Sequence, residues 1–158
     1  MPISADSRKR IDMIVTLDKV KYPIEIKYRR KELKDENGDR VLIGDNYDRI
    51  EFTQDIQRLE NYIIINEYAC FGYALWFTNV SSIWEKQKKE SDQLLSVYDG
   101  KQFFPCDMEI KRYPNAPHII LKGSYTIKWE ELFNIENPKD RLFNYALIPI
   151  RKSQLVMK

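Results

Sequence analysis

The chain has 158 residues, 43% of them hydrophobic and 13% aromatic, and this composition excludes an intrinsically disordered protein. The length suits one domain with a sizeable core, so we expect a single domain over residues 1–158. Lysine and arginine number 26 against 24 acidic residues, which leaves a net charge of +2. Any affinity for nucleic acid must therefore come from local basic clusters and not from the field of the whole molecule.

The two cysteines, Cys70 and Cys106, are far apart in the sequence, and the chain has one histidine, His118. Zinc sites use clustered cysteine and histidine ligands, so no zinc site is expected. The sequence shows neither a signal peptide nor an apolar run near the ~20 residues that cross a bilayer. We therefore expect a cytoplasmic protein with reduced thiols and no membrane association.

Two amphipathic strands with a tight connection are predicted near the start of the chain. Apolar and polar residues alternate in Ile11–Leu17 and again in Val20–Tyr28, so one face is apolar and the other carries charge. With a two-residue loop at Asp18-Lys19, Asp12 falls directly opposite Glu25. A four-residue loop, from residue 18 to 21, is also possible and keeps every side chain on the same face.

The charged face of this hairpin predicts a metal site. Opposed residues on paired strands have Cβ atoms ~4.5–5.5 Å apart, so the carboxylates of Asp12 and Glu25 would repel unless a cation lay between them. Mg²⁺ prefers one or two carboxylates with waters and phosphate oxygens. Lys27 lies on the same predicted face, where its ammonium would orient an attacking water. The apolar face is predicted to carry Ile11, Met13, Ile24 and Ile26.

The order Ile11-Asp12-Met13 followed by Ile24-Glu25-Ile26-Lys27 resembles the PD-(D/E)XK nuclease superfamily, which has the restriction-endonuclease-like fold. The chain departs from the motif where Arg10-Ile11 stands in place of the proline. The resemblance implies Mg²⁺ or Mn²⁺ as cofactor, held by Asp12, Glu25 and the backbone carbonyl of Ile26. It also implies that Lys27 assists the nucleophilic water.

Basic residues flank both strands of the hairpin. Arg10 precedes the first strand, and Arg29 and Arg30 follow the second, so we expect them to bind the phosphates of a nucleic acid, with DNA as the favoured substrate. The predicted function is metal-dependent endonuclease activity. An amphipathic hairpin with solvated charges gives the same pattern. The alternative function is therefore a non-catalytic nucleic-acid-binding or assembly module that keeps the nuclease fold.

A helix and a buried strand are predicted next. Ile56, Leu59 and Ile63 have helical spacing, and the helix is expected from Thr53, as N-cap, to about Glu67. Phe71–Thr78 is apolar at nearly every position, which is typical of a central strand. Strand, helix and strand form a βαβ unit, so the last strand should lie parallel to Val20–Tyr28. Asp55 and Arg58 are interpreted as a local ion pair within the helix.

The second half of the chain is predicted to be rich in β-structure. A charged connection with a turn at Asn37-Gly38 precedes the helix, and the nuclease core is expected over about residues 8–80. A β-rich extension then follows over about residues 81–158. Its predicted elements are a helix from Trp84 to about Leu95, a turn at Tyr98-Asp99-Gly100-Lys101, and strands at Ile119–Leu121, Tyr125–Trp129 and Asn144–Ile150.

This half also resembles a group of bacterial proteins of unassigned role that carry the nuclease core. The residues that carry the resemblance are Thr78-Asn79, Leu121 to Tyr125, Lys128-Trp129 and Phe143 to Ile148. Tyr125 and Trp129 among them are interpreted as core aromatics and not as platforms for bases. The resemblance supports the fold more than the function.

The predicted fold is an α/β restriction-endonuclease-like mixed sheet that lacks the first helix and strand of the superfamily, because only residues 1–10 precede the hairpin. One sheet edge, Ile11–Leu17, would then offer unpaired N–H and C=O groups, and part of an apolar face would be exposed. We therefore expect a homo-oligomer through this edge or an N-terminal segment in a longer protein.

Overall fold

The computed structural model of the protein describes residues 10–29, 45–86, 96–109, 118–132 and 143–156. Three of the predicted features lie outside these residues. They are the turn at Asn37-Gly38, the helix beyond residue 86, and the phosphate contact of Arg30.

The predicted hairpin is present as strands β1, Met13–Leu17, and β2, Val20–Arg29. The strands are antiparallel, and the pairing of Leu17 with Val20 leaves a two-residue loop. Asp18 and Lys19 both have positive φ angles, 48° and 69°, which match the twist of a tight hairpin turn. The two-residue alternative is therefore the correct one, although the loop has no glycine.

Five strands form one mixed sheet, in the order β1, β2, β3 (Phe71–Thr78), β9 (Phe143–Arg151) and β8 (Trp129–Leu132). Strand β3, Phe71–Thr78, is parallel to β2, which confirms the predicted βαβ unit. Strand β9, Phe143–Arg151, pairs antiparallel with β3 along its full length, and β8, Trp129–Leu132, pairs with β9. The proposed boundary near residue 80 therefore does not divide the sheet, because two strands of the predicted extension complete it.

Helix α1, Asp45–Ile65, crosses one face of the sheet and begins eight residues before the predicted start. Thr53 is therefore not an N-cap. It lies inside the helix, where its Oγ1 donates a hydrogen bond of 2.9 Å to the carbonyl of Arg49. The early turns are charged and carry no clear apolar period, which explains the misplaced boundary.

The core lies between α1 and the sheet. The helix buries a stripe with spacings of three and four residues, and the sheet contributes the side chains of alternate positions on β3 and β9. At the centre, the ring of Trp76 lies 4.7 Å from that of Phe52 and 5.6 Å from that of Trp129. The helical stripe consists of Phe52, Ile56, Leu59 and Ile63.

The other elements cover the ends of this core. Short helix α2, Ser81–Trp84, follows β3. It ends at the residue where the predicted helix was expected to begin, because Glu85 is already extended. Two small sheets pair β4, Gln102–Phe103, with β7, Tyr125–Thr126, and β5, Cys106–Met108, with β6, Ile119–Leu121. The single strand predicted over Tyr125–Trp129 is wrong, since β7 ends at Thr126 and β8 begins at Trp129. The predicted turn before β4 is confirmed, with Gly100 at φ 80°. Tyr125 is a core residue, as expected, and Trp129 packs against the core. Neither α1 nor α2, within the residues described, has the length and apolar character needed to cross a bilayer.

Candidate functional site

The charged face of β2 points toward helix α1, and the apolar face points away from it. Glu25 is buried and Lys27 is largely so, whereas Ile26 between them is 41% exposed. Alternation along the strand therefore places Glu25 and Lys27 together, as predicted, and Met13 pairs with Ile24 on the other face. Ile11 differs from the prediction, since it lies before β1 begins and packs against the core.

Asp12 lies just ahead of β1 and is fixed to the neighbouring strand. Its Oδ2 accepts a 2.9 Å hydrogen bond from the backbone N–H of Ile26. Its carboxyl group is also within hydrogen-bonding reach of Glu25. The two acids predicted to share a cation are therefore adjacent.

Glu25 is the most perturbed acid of the site. Its side chain is 1% exposed, and burial raises its pKa from 4.5 to about 7. The nearby Asp12 adds to the increase, and a hydrogen bond from Arg58 opposes it. Oε2 of Glu25 is buried and receives no hydrogen bond from the described part of the chain.

Arg58 of helix α1 links two acids. Its Nε donates a 2.8 Å hydrogen bond to Oε1 of Glu25, and its Nη2 donates to Oδ1 of Asp55. Burial raises the pKa of Asp55, and the charges of Arg58 and Lys27 counteract this. The predicted Asp55–Arg58 ion pair is thus confirmed, but the sequence did not reveal that Arg58 also reaches across to β2.

Lys27 and Arg29 meet further acids at the start of α1. Nζ of Lys27 lies 2.5 Å from Oε2 of Glu51 and 3.6 Å from Oδ1 of Asp48. Arg29 donates to both carboxylate oxygens of Asp48, with its Nε at 2.7 Å from Oδ2. The positions 48, 51, 55 and 58 have helical spacing. A helix predicted from residue 45 would have brought them to one face.

These side chains form a layer of charge that we call the β2–α1 cluster. It contains five acids and three bases, so it carries an excess of negative charge if all are ionised. The net attraction of this layer is therefore toward a cation. The members of the cluster are Asp12, Glu25, Asp48, Glu51, Asp55, Lys27, Arg29 and Arg58.

The residues predicted to bind phosphate are placed in different environments. Arg10 is exposed, two residues before Asp12. Arg29 is bound to buried Asp48, although 42% of its side chain remains exposed. Across the ranges that the structure describes, no group of three or more His, Cys, Asp and Glu side chains is arranged to hold a metal ion by itself. Any cation here would need waters or substrate oxygens as further ligands.

Comparisons with protein-family models, with curated proteins and with solved structures give no significant match to this chain.

Proposed function

We propose that this protein is a metal-dependent phosphodiesterase acting on nucleic acid, with DNA as the favoured substrate, and that its sheet and helix are those of a restriction-endonuclease-like fold. The observation that supports the proposal best is the adjacency of Asp12 and Glu25, with Lys27 next along the same face of β2. The parallel β2–β3 pair joined through α1 is consistent with such a fold.

The acids fit a divalent metal ion in their chemistry. Oε2 of Glu25 is a buried carboxylate oxygen that receives no hydrogen bond from the described residues, and the Asp12 carboxyl is close enough to Glu25 to raise its pKa. Asp12, Glu25 and the carbonyl of Ile26 would hold Mg²⁺ or Mn²⁺. The bound ion would polarise a phosphate oxygen and offset charge in the transition state.

The hydrolysis joins a water oxygen to phosphorus and breaks the bond from phosphorus to one ester oxygen. The water loses a proton to solvent, and the departing ester oxygen gains one. Lys27 would position that water, because its side chain lies on the same face as Glu25 and is 12% exposed. Arg10 and Arg29, together with Arg30, would bind flanking phosphates and set the position of the strand.

A non-catalytic binding or assembly module is the second candidate, and the position of Arg58 favours it. The guanidinium binds Glu25 and Asp55 at once and so supplies a positive charge where a metal ion would act. Internal ion pairs also engage Lys27 and Arg29. A chain in which this network is permanent would bind nucleic acid through its exposed cations without hydrolysing it.

Cleavage of plasmid DNA with Mg²⁺ or Mn²⁺, against an EDTA control, tests the proposed activity. We expect nicking that EDTA abolishes. Lys27→Ala should remain folded and bind Mn²⁺ but lose activity at least a hundredfold, because the water is no longer positioned. Asp12→Asn should lose both metal binding and activity. Lys128→Ala, at a lysine whose side chain is 77% exposed and far along the chain, is the matched control.

Two results would reject this assignment. One is equal cleavage by wild type and Lys27→Ala. The other is DNA binding without cleavage, combined with no Mn²⁺ binding by calorimetry, which would favour the binding module. In that case Arg58→Met should increase Mn²⁺ affinity, since the competing cation is removed from Glu25.

A further inference from the structure

The face of the sheet that points away from α1 exposes large apolar side chains on neighbouring strands. Met13 and Leu17 on β1 are 43% and 60% exposed, and Ile26 and Tyr28 on β2 are 41% and 60% exposed. Leu147 on β9 is 46% exposed. The strand registers place these residues on one face, which we call the open face. A contiguous apolar surface of this kind is typical of a protein interface.

The open face is nearly free of charge. Among the strand residues that alternation assigns to it, the charged ones are Glu130 on β8 and Arg151 on β9. Arg151 pairs with Phe71 at one end of the sheet, and Glu130 pairs with Tyr145 near the other end. The proposed catalytic site in the β2–α1 cluster lies on the other side of the sheet, and the strand residues of the open face offer few cations to the phosphates of a nucleic acid. The open face suits a protein partner instead.

We propose that the partner is a second copy of this chain, packed sheet against sheet through the open face. The area of the open face and the position of its charged residues favour this partner. A two-fold axis that runs across the strands turns each sheet end for end, so the end with Arg151 in one copy faces the end with Glu130 in the other. With the axis level with Ile148, midway between positions 145 and 151 of β9, Arg151 lies one strand from Glu130 of the partner copy, and the same contact occurs twice. Within its own chain Glu130 lies 3.8 Å from Nζ of Lys128 and accepts a hydrogen bond from the hydroxyl of Tyr145, so Arg151 of the second copy would join this group of charged and polar side chains.

The dimensions of the face match a dimer of this type. Five strands spaced ~4.8 Å apart and a central strand of eight residues, at ~3.3 Å each, give a face of roughly 24 by 26 Å. The flat area of this face is about 600 Å². Because side chains project from it, its accessible area is larger and approaches the ~800 Å² that each partner buries in a standard interface. Packed sheets lie ~10 Å apart, which the exposed side chains of Tyr28 and Leu147 are long enough to fill.

Strand β1 offers a different contact, the edge pairing expected from the sequence. Its outer edge has no partner strand within the described sheet, and Met13–Leu17 contains no charge. Edge pairing and face packing bury different side chains, however. Ile14 is 43% exposed and belongs to the edge but not to the open face, whereas Leu147 belongs to the face but not to the edge.

Analytical ultracentrifugation of the full chain over a concentration series tests the proposal. We expect a species of twice the 19.0 kDa mass of one chain. Leu147→Glu should increase its dissociation constant at least a hundredfold. Ile120→Glu, at a residue on β6 with 40% exposure, is the matched control and should change it little. Circular dichroism of each variant checks that it is folded.

Swapping the charges at positions 130 and 151 distinguishes face packing from other arrangements of the dimer. In a Lys128→Ala background, which removes the cation beside position 130 in the same chain, Glu130→Arg and Arg151→Glu should each weaken the dimer about tenfold, and the variant with both changes should restore it. The two residues are six strand positions apart, ~20 Å within one chain, so contact inside a chain cannot explain the rescue. A monomer at all concentrations overturns the proposal. So does a dimer that survives Leu147→Glu but is lost in Ile14→Glu, or a double variant as weak as the singles.

Discussion

Glu25 lies in an environment that disfavours its charged form. Burial is the largest cause of its raised pKa, and the hydrogen bond from Arg58 lowers the pKa in part. The group is therefore close to half protonated near neutral pH, and its charge will respond to any cation that approaches. This sensitivity is a property of one residue, but it affects the stability of the fold and would affect the metal binding that we propose.

The pKa of Glu25 predicts how stability varies with pH. The folded state holds a proton up to a pH of about 7, whereas the unfolded chain releases it near 4.5. The folded state binds more protons in this window, so the free energy of unfolding should fall as pH rises from 4.5 to 7 and then level off, with a total change on the order of 3 kcal/mol.

Urea unfolding in EDTA at a series of pH values measures this effect. Glu25→Gln, which cannot ionise, should show a flatter dependence over the same window. An equal slope in wild type and variant would show that the group does not titrate as its surroundings indicate.

Helix α1 and the segment after β6 are joined by a buried carboxylate. Glu60 accepts hydrogen bonds from the backbone N–H groups of Lys122 and Gly123, the latter at 2.7 Å, and from the hydroxyl of Tyr125 at 2.6 Å. This contact connects residues 62–65 positions apart in the sequence and fixes the small sheets against the helix. The position of Gly123 is specific, since a Cβ there would collide with the Tyr125 ring.

Removal of this carboxylate predicts a large loss of stability. Glu60→Ala leaves buried backbone donors unsatisfied, and we expect a decrease of about 3 kcal/mol in the free energy of unfolding. Tyr125→Phe removes one donor and leaves the others bonded, so it should cost about 1 kcal/mol. Thermal or urea unfolding measures both. A smaller loss for Glu60→Ala than for Tyr125→Phe would contradict the anchoring role.

Trp76 lies between helix α1 and the sheet. It is fully buried on the central strand β3 and packs against Phe52 of the helix and Trp129 of the far strand. One side chain thus connects α1, β3 and β8, which come from distant parts of the sequence.

Trp76→Ala should lower the free energy of unfolding by about 3–5 kcal/mol, since it removes a large buried side chain and leaves a cavity. Phe104→Ala, at an aromatic residue that is 61% exposed, is the control and should change it by less than about 0.5 kcal/mol. Far-ultraviolet circular dichroism follows the unfolding of both variants. Similar values for the two would mean that the core is not organised around Trp76.

The sequence by itself determined the elements whose information is local. Alternation in Ile11–Leu17 and Val20–Tyr28 specified two strands and the shared face of Glu25 and Lys27, because side-chain direction in a strand has a period of two whatever the loop length. The apolar run Phe71–Thr78 indicated a central strand, and chain order made it parallel to β2.

Only the tertiary structure decided which distant groups meet. The pairing of β9 with β3, the contact of Arg58 with Glu25, and the burial of Asp48 beneath Arg29 all join parts of the chain that no local pattern relates. The first turns of α1 are charged because they face the charged side of β2. The sequence alone therefore showed no apolar stripe there from which a helix could be predicted. An amphipathic pattern specifies two faces of an element, whereas the free energy of long-range packing selects which face is covered.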